Sequence, residues 1–167
     1  HITLSTGEKI STTIEVPQRV KRLQRKLDRQ YRQAKKRKNQ EGLSYIPLSH
    51  NYFITKEKLN REYDKLNNKK DNLAKQIVSL LMKNEYVFFQ DESLSAWKMR
   101  FGRKLHHSVL GRVKSLLKAH PRAFMVDKWS PTTQWCSSCD KNTKHSLKER
   151  EYVCKHCGST EDRDTHA

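Results

Sequence analysis

A mixed α/β (α+β) fold is predicted, on three observations. Two long stretches repeat apolar residues at spacings of three and four, which is the period of an amphipathic helix. Short apolar runs at 1–16, 86–89 and 122–126, bounded by polar turns, read as strands. All four cysteines fall in one window near the end, as two Cys-x-x-Cys pairs. The 167 residues are enough for one domain with a core and a small appendage. There are 35 Lys and Arg against 18 Asp and Glu, a net charge of +17, which draws the chain to polyanions; nucleic acid is a better candidate than a membrane surface. No apolar run reaches membrane-spanning length and no secretory signal leads the chain, so a cytoplasmic location is expected. The first residue is not Met, and the chain opens inside an alternating pattern; a fragment of a longer protein is expected.

Taken in order, 1–16 reads as a β-hairpin about Ser5-Thr-Gly-Glu8. Residues 17–84 read as a helical hairpin. Pro17 fits a first helical turn, and Val20, Leu23, Leu27, Tyr31 and Ala34 make one apolar face. From Pro17 to Gln40 there are eleven Lys or Arg against one acid, Asp28. Solvated faces normally mix both signs, and so one-sided a helix repels itself unless a phosphate backbone relieves it. Arg22, Arg25, Arg29, Arg32 and Lys36 are the candidate contacts. A loop over 41–54 follows, with Tyr45, Tyr52 and Phe53 as anchors. A second helix then runs over 55–84 on a stripe of Leu59, Tyr63, Leu66, Leu73, Ile77 and Leu80, packed antiparallel on the first.

Residues 85–130 read as strand, helix, strand. Tyr86 to Phe89 is a buried strand with carboxylates at its end, where Phe88, Gln90 and Glu92 share one face and Asp91 points to the other. Residues 95–104 read as a basic loop in which Trp97, Met99 and Phe101 alternate with Lys98, Arg100, Arg103 and Lys104. That mixture suits nucleic acid, where bases stack and phosphates pair. A helix over 105–118 and a strand over 122–126 close the segment.

The window 131–160 carries Cys136-Ser-Ser-Cys139, fourteen residues, then Cys154-Lys-His-Cys157. Two such turns joined by a hairpin aim four thiolates at one point, which suits Zn²⁺ in a closed structural site. Gly158 and Asp140 each follow a second cysteine, where the turn needs positive φ. Two disulfides fit a reducing compartment poorly, and a redox pair needs only one Cys-x-x-Cys. Residues 161–167 read as the start of a helix. Glu92, after a strand, and Asp164, after the ribbon, are two carboxylates from distant segments, as a two-metal phosphodiesterase requires to hold Mg²⁺.

The order Glu92-Ser-Leu94, basic loop, helix, strand, Thr132-Thr-Gln-Trp-Cys136, ribbon, Asp162-Arg-Asp164 strongly resembles the C-terminal half of the TnpB (OrfB) proteins of insertion sequences, relatives of the type V CRISPR effectors. The resemblance covers essentially the whole chain. It implies an RNase H-like RuvC nuclease core, truncated at both ends here, interrupted by the helical hairpin and a C4 zinc ribbon. It implies that Glu92 and Asp164 are catalytic Mg²⁺ ligands, in preference to Asp91 and Asp162, and that the partners are DNA and a guide RNA, with no membrane and no small-molecule substrate. Asp140 and His166 stand where the family has Gly and Asn. The family's first catalytic Asp lies upstream of the hairpin, outside this chain. The expected function is part of a transposon-encoded, RNA-guided, Mg²⁺-dependent DNA endonuclease. The rival reading is a catalytically inactive zinc-ribbon nucleic-acid-binding protein or a decayed transposase fragment.

Overall fold

The computed structural model describes residues 2–91, 93–127, 129–146 and 149–166; the side chains of Phe101, Arg103, Lys104, His106 and Asp164 lie outside the description. Contacts divide the chain into two compact units, Ile14–Leu73 and a second that joins His1–Thr13 to Ala74–Ala167.

The first unit is built on helix α1, Gln18–Glu41, and most of α2, His50–Leu81. Pro17 stands just before α1 with φ of −56°, and Gly42 closes it at φ 62°, where its N–H reaches the Lys38 carbonyl. The helices run antiparallel, as expected. Arg19 pairs with Glu62 at 3.3 Å, Gln24 meets the Tyr63 hydroxyl, and the Tyr31 and Tyr52 rings lie 6.5 Å apart, so the start of α1 lies beside residues 62–63 of α2 and its middle beside residue 52.

Helix α2 starts earlier than expected because Ser49 caps it, accepting the Tyr52 N–H at 3.3 Å. Tyr52 and Phe53 are thereby helical, and Tyr45 is exposed rather than an anchor. The far end of the stripe also differs. Leu59, Leu66 and Ile77 are buried, but Leu80 is 39% exposed, and Ala74 and Leu81 are buried instead. Leu59, Leu66, Leu73 and Leu80 form a strict seven-residue repeat. In a straight helix such a repeat drifts by ~20° per seven residues, so by Leu80 it has left the face that Leu59 began.

In the second unit, β1, Ile2–Thr3, pairs antiparallel with β2, Lys9–Ile10, in register Ile2↔Ile10. The hairpin is shorter than expected because the chain leaves it at Thr12, whose carbonyl accepts the Val109 N–H at 2.8 Å, while Thr13 bridges Ser108. Strand β3, Val87–Gln90, pairs in parallel with β4, Ala123–Val126, and helices α3, Leu94–His106, and α4, Leu110–Lys118, make the crossover. Val113 and Leu117 of α4 and the preceding Val109 are the buried core there.

Two expectations are corrected in this segment. Residues 95–104 are not a loop but helix, rich in good helix formers, with Trp97 N–H on the Ser93 carbonyl at 3.2 Å. Gly102 leaves helical geometry (φ 35°, ψ −105°) and breaks α3 near its end, so the next helix begins at Leu110, where Ser108 Oγ accepts the Leu110 N–H at 3.2 Å. Nor is β3 buried on both faces. Phe88 is 70% exposed and stacks on the half-exposed Phe124 with ring centroids 5.5 Å apart. The opposite side borders a largely apolar cavity of about 690 Å³, lined by Leu4, Phe89, Leu94, Trp97, Val113 and Leu117 among others.

The drift of the α2 stripe has a direct test in urea unfolding. Ile77, 3% exposed, is expected to cost about 2–5 kcal/mol on truncation to Ala. Leu80→Ala is expected to cost under about 1 kcal/mol. Equal losses would restore the strict heptad.

Candidate metal centre and carboxylate segment

After β4 the chain passes a 3₁₀ turn, Thr132–Gln134, and enters two turns of the same construction. In the first, Asp140 N–H donates to the Cys136 carbonyl at 2.9 Å and Cys136 N–H to the Lys141 carbonyl at 3.0 Å. In the second, Gly158 N–H donates to the Cys154 carbonyl at 2.9 Å and Cys154 N–H to the Ser159 carbonyl at 2.8 Å. Both expected residues take positive φ, 53° at Asp140 and 76° at Gly158. Strands β5, Glu151–Val153, and β6, Thr160–Asp162, pair antiparallel on either side of the second turn.

The turns bring the four sulfurs within 4.8 Å of one another. Cys136 Sγ lies 3.6 Å from Cys157 Sγ, and Cys139 Sγ lies 3.6 Å from Cys154 Sγ. A disulfide needs about 2.05 Å. A tetrahedron with Zn–S bonds of about 2.3 Å has edges of about 3.8 Å, so the spacing fits a four-thiolate metal centre and not two bridges. All four thiolates are soft donors and none leaves an open position, the donor set of a structural site.

The surroundings act unequally on the thiols. The Ser159 hydroxyl beside Cys136, helped by the backbone N–H groups of Ser138 and Cys139, holds that thiol down at about 5. Backbone N–H of Cys157 leads in holding Cys154 at about 7, and burial pushes Cys139 up to about 12. Tyr152, wholly buried behind Cys136 and Cys154, is also pushed up to about 12 by burial.

The segment after the ribbon is fastened to it. Arg163 N–H donates to the Arg150 carbonyl and its guanidinium to the Glu149 carbonyl, each at 2.9 Å. The ring of His166, 1% exposed, stacks on Tyr152 with centroids 3.7 Å apart; its nitrogens lie 2.6 Å from the Trp135 carbonyl and 2.9 Å from the Glu161 carboxylate. These contacts place the backbone of α5, Arg163–His166, which carries Asp164. A Cβ added to Gly7 in the β1–β2 turn would lie 3.7 Å from Thr165 Oγ1, so that turn borders α5 as well. Glu92 lies outside the described residues, as does the side chain of Asp164. Asp91 faces α4, where it pairs with Lys114 and lies 3.8 Å from Lys118 Nζ. Asp162 is exposed on β6, opposite Glu151.

On α1, Arg22, Arg25, Arg29, Arg32 and Lys36 recur at three and four residues and are all exposed. Among the described residues, no ion pair engages them. Lys98 and Arg100 are exposed on α3, and the side chains of Arg103 and Lys104 lie outside the description. Sequence reasoning missed Ser159, Thr143 and Tyr152 around the sulfurs. It saw in His166 only a departure from a motif.

Three predictions follow from this geometry. Zn²⁺ binding at pH 7 is expected to release the proton that Cys139 holds, while Cys136 arrives ionised; calorimetry in buffers of different ionisation heat reads the difference. As pH falls through 7 toward 5, Cys154 and then Cys136 take up protons in the free site, so apparent affinity falls with rising steepness. In the first turn, Asp140→Val is expected to cost about 1–2 kcal/mol, because a β-branched side chain tolerates αL poorly, and Asp140→Gly to cost little. Metal-loaded thermal melts separate the two.

Residues 115–167 match the family model of the Cas12f1-like TNB domain. No curated protein matches the chain. The matched segment starts in α4 and takes in β4, both cysteine turns and α5. The part of the chain that builds the metal centre is therefore the part that is similar to the Cas12f1-like TNB domain.

Proposed function

We propose that the chain is part of an RNA-guided, Mg²⁺-dependent DNA endonuclease of the TnpB type. The observation that carries the proposal is the junction of the matched ribbon with Asp162-Arg-Asp164, where Arg163 and His166 fasten the acidic segment to the cysteine turns. In this reading 1–16, 85–130 and 161–167 belong to one RuvC-like core, interrupted by the hairpin 17–84 and the ribbon 131–160. Glu92 and Asp164 are its Mg²⁺ ligands in this chain. Carboxylate oxygens are the hard donors that Mg²⁺ takes, and Asp91, held by Lys114, is the poorer candidate beside Glu92. When bound, Mg²⁺ supplies an activated water and stabilises the leaving oxygen of the phosphodiester.

The remaining roles belong to the chain's own residues. Arg22, Arg25, Arg29, Arg32 and Lys36 face the sugar–phosphate backbone of a guide RNA paired with DNA, and Lys98, Arg100, Arg103 and Lys104 make a second set of phosphate contacts. The ribbon holds zinc for structure and takes no part in bond breaking.

Binding and cleavage are tested apart. Duplex binding by the chain is expected to weaken steeply with salt, and each Ala replacement among Arg25, Arg29 and Arg32 to reduce the log–log salt slope by about 1. In a protein carrying all three carboxylates of the family, Glu92→Ala or Asp164→Ala is expected to abolish cleavage and leave binding nearly intact. Cleavage at the normal rate by both variants would sink the nuclease reading. Binding with no Mg²⁺-dependent cleavage by the parent protein would leave the rival, a zinc-ribbon binding module.

A further inference from the structure

The four sulfurs differ in their cover. Cys136 and Cys154 are buried, Cys139 is partly buried, and Cys157 is exposed. Cys157 is thus the corner from which a chelator or an oxidant reaches the site. One side chain spans the edge from that corner to the buried Cys136. Ser159 Oγ lies 3.2 Å from Cys136 Sγ and 3.3 Å from Cys157 Sγ. Its backbone is fixed by the second turn, where its carbonyl accepts the Cys154 N–H at 2.8 Å. The opposite edge, Cys139 to Cys154, has no equally close hydroxyl among the described residues; Thr143 Oγ1 stands 3.8 Å from Cys154 Sγ and is buried.

With a divalent metal bound, all four sulfurs are thiolates and only accept hydrogen bonds. The Ser159 hydroxyl must then donate, and it is placed to serve either the exposed Cys157 or the buried Cys136. A hydrogen bond to a coordinated thiolate disperses its charge and fixes its direction, and such outer partners affect how firmly a metal is held. We propose that Ser159 is a positioning residue that ties the exposed corner of the metal site, Cys157, to the buried Cys136 and sets how fast zinc leaves. The inference rests on the zinc reading of the four cysteines and goes beyond it in assigning the exit route to Cys157 and its control to one hydroxyl.

The test uses the full 167-residue chain loaded with Zn²⁺. Metal content is measured first, then the rate of transfer to a colorimetric chelator. Ser159→Ala is expected to release zinc about tenfold faster, and Ser159→Thr, which keeps the hydroxyl, to stay near the parent rate. With Co²⁺ in place of Zn²⁺, the sulfur-to-cobalt charge-transfer band is expected to shift in Ser159→Ala and not in Ser159→Thr, a signature that general loosening of the fold does not give. Unchanged rate and band in Ser159→Ala overturn the assignment, as does equal acceleration by Ala and Thr. A parent chain that holds less than one zinc overturns the metal reading itself, so the two failures are told apart by the first measurement.

Discussion

Four sulfurs held within 4.8 Å are a constraint before they are a site. As thiolates they repel one another, and only a cation at their centre makes the arrangement stable. Among the described residues from Pro131 to Ser159, Tyr152 and Thr143 are the ones buried besides Cys136 and Cys154, so little apolar core supports the segment. The metal stands in for that core. What lies downstream leans on it in turn. The Cys136 turn places Trp135, β5 places Tyr152, and both hold His166 and the short helix around Asp164. The cysteine turns therefore bear on the placement of the acidic segment.

Local chemistry was the legible part of the sequence. The cysteine spacing, and the positive φ at Asp140 and Gly158, are each dictated within a few residues, and the structure has them as read. The antiparallel helices were legible because their stripes are long. Where the reading failed, the deciding partner was distant or the signal was ambiguous. Alternating aromatics and bases at 97–101 suit a loop as well as a helix, and Ser93 and local propensity settled on helix. An apolar run such as Val87 to Phe89 does not state how many faces will be covered; here one face of the pair remains open. Ser159 had no signal beyond its place after Gly158, since its two sulfur partners arrive from turns twenty-three and two residues away. Glu92 and the side chain of Asp164 lie outside the description, so the carboxylate pair rests on sequence order and on the backbone of α5.

The two helices of the hairpin divide their work by charge. On α2 the acids are used internally: Glu62 takes both Arg19 and Lys65, and Glu57 takes Arg61. Pairs whose bases are this exposed contribute little to stability. They do settle which bases are occupied, and the row from Arg22 to Lys36 is not among them. A helix so loaded is tolerated because its buried face, with Val20 and Ala34, is secured against the partner helix. Its basic face is then free to answer to an outside polyanion.

The outward stack of Phe88 on Phe124 has a consequence for the protein in solution. Two forces act between copies: repulsion from a net charge of +17, and attraction between aromatic faces that water wets poorly. At low ionic strength the repulsion reaches far and keeps copies apart. In molar salt the screening length shrinks to about 3 Å, and the aromatic faces meet without that barrier. High salt is thus the condition that favours self-association of so basic a chain, and the positive charge that draws it to polyanions is also what keeps its copies apart.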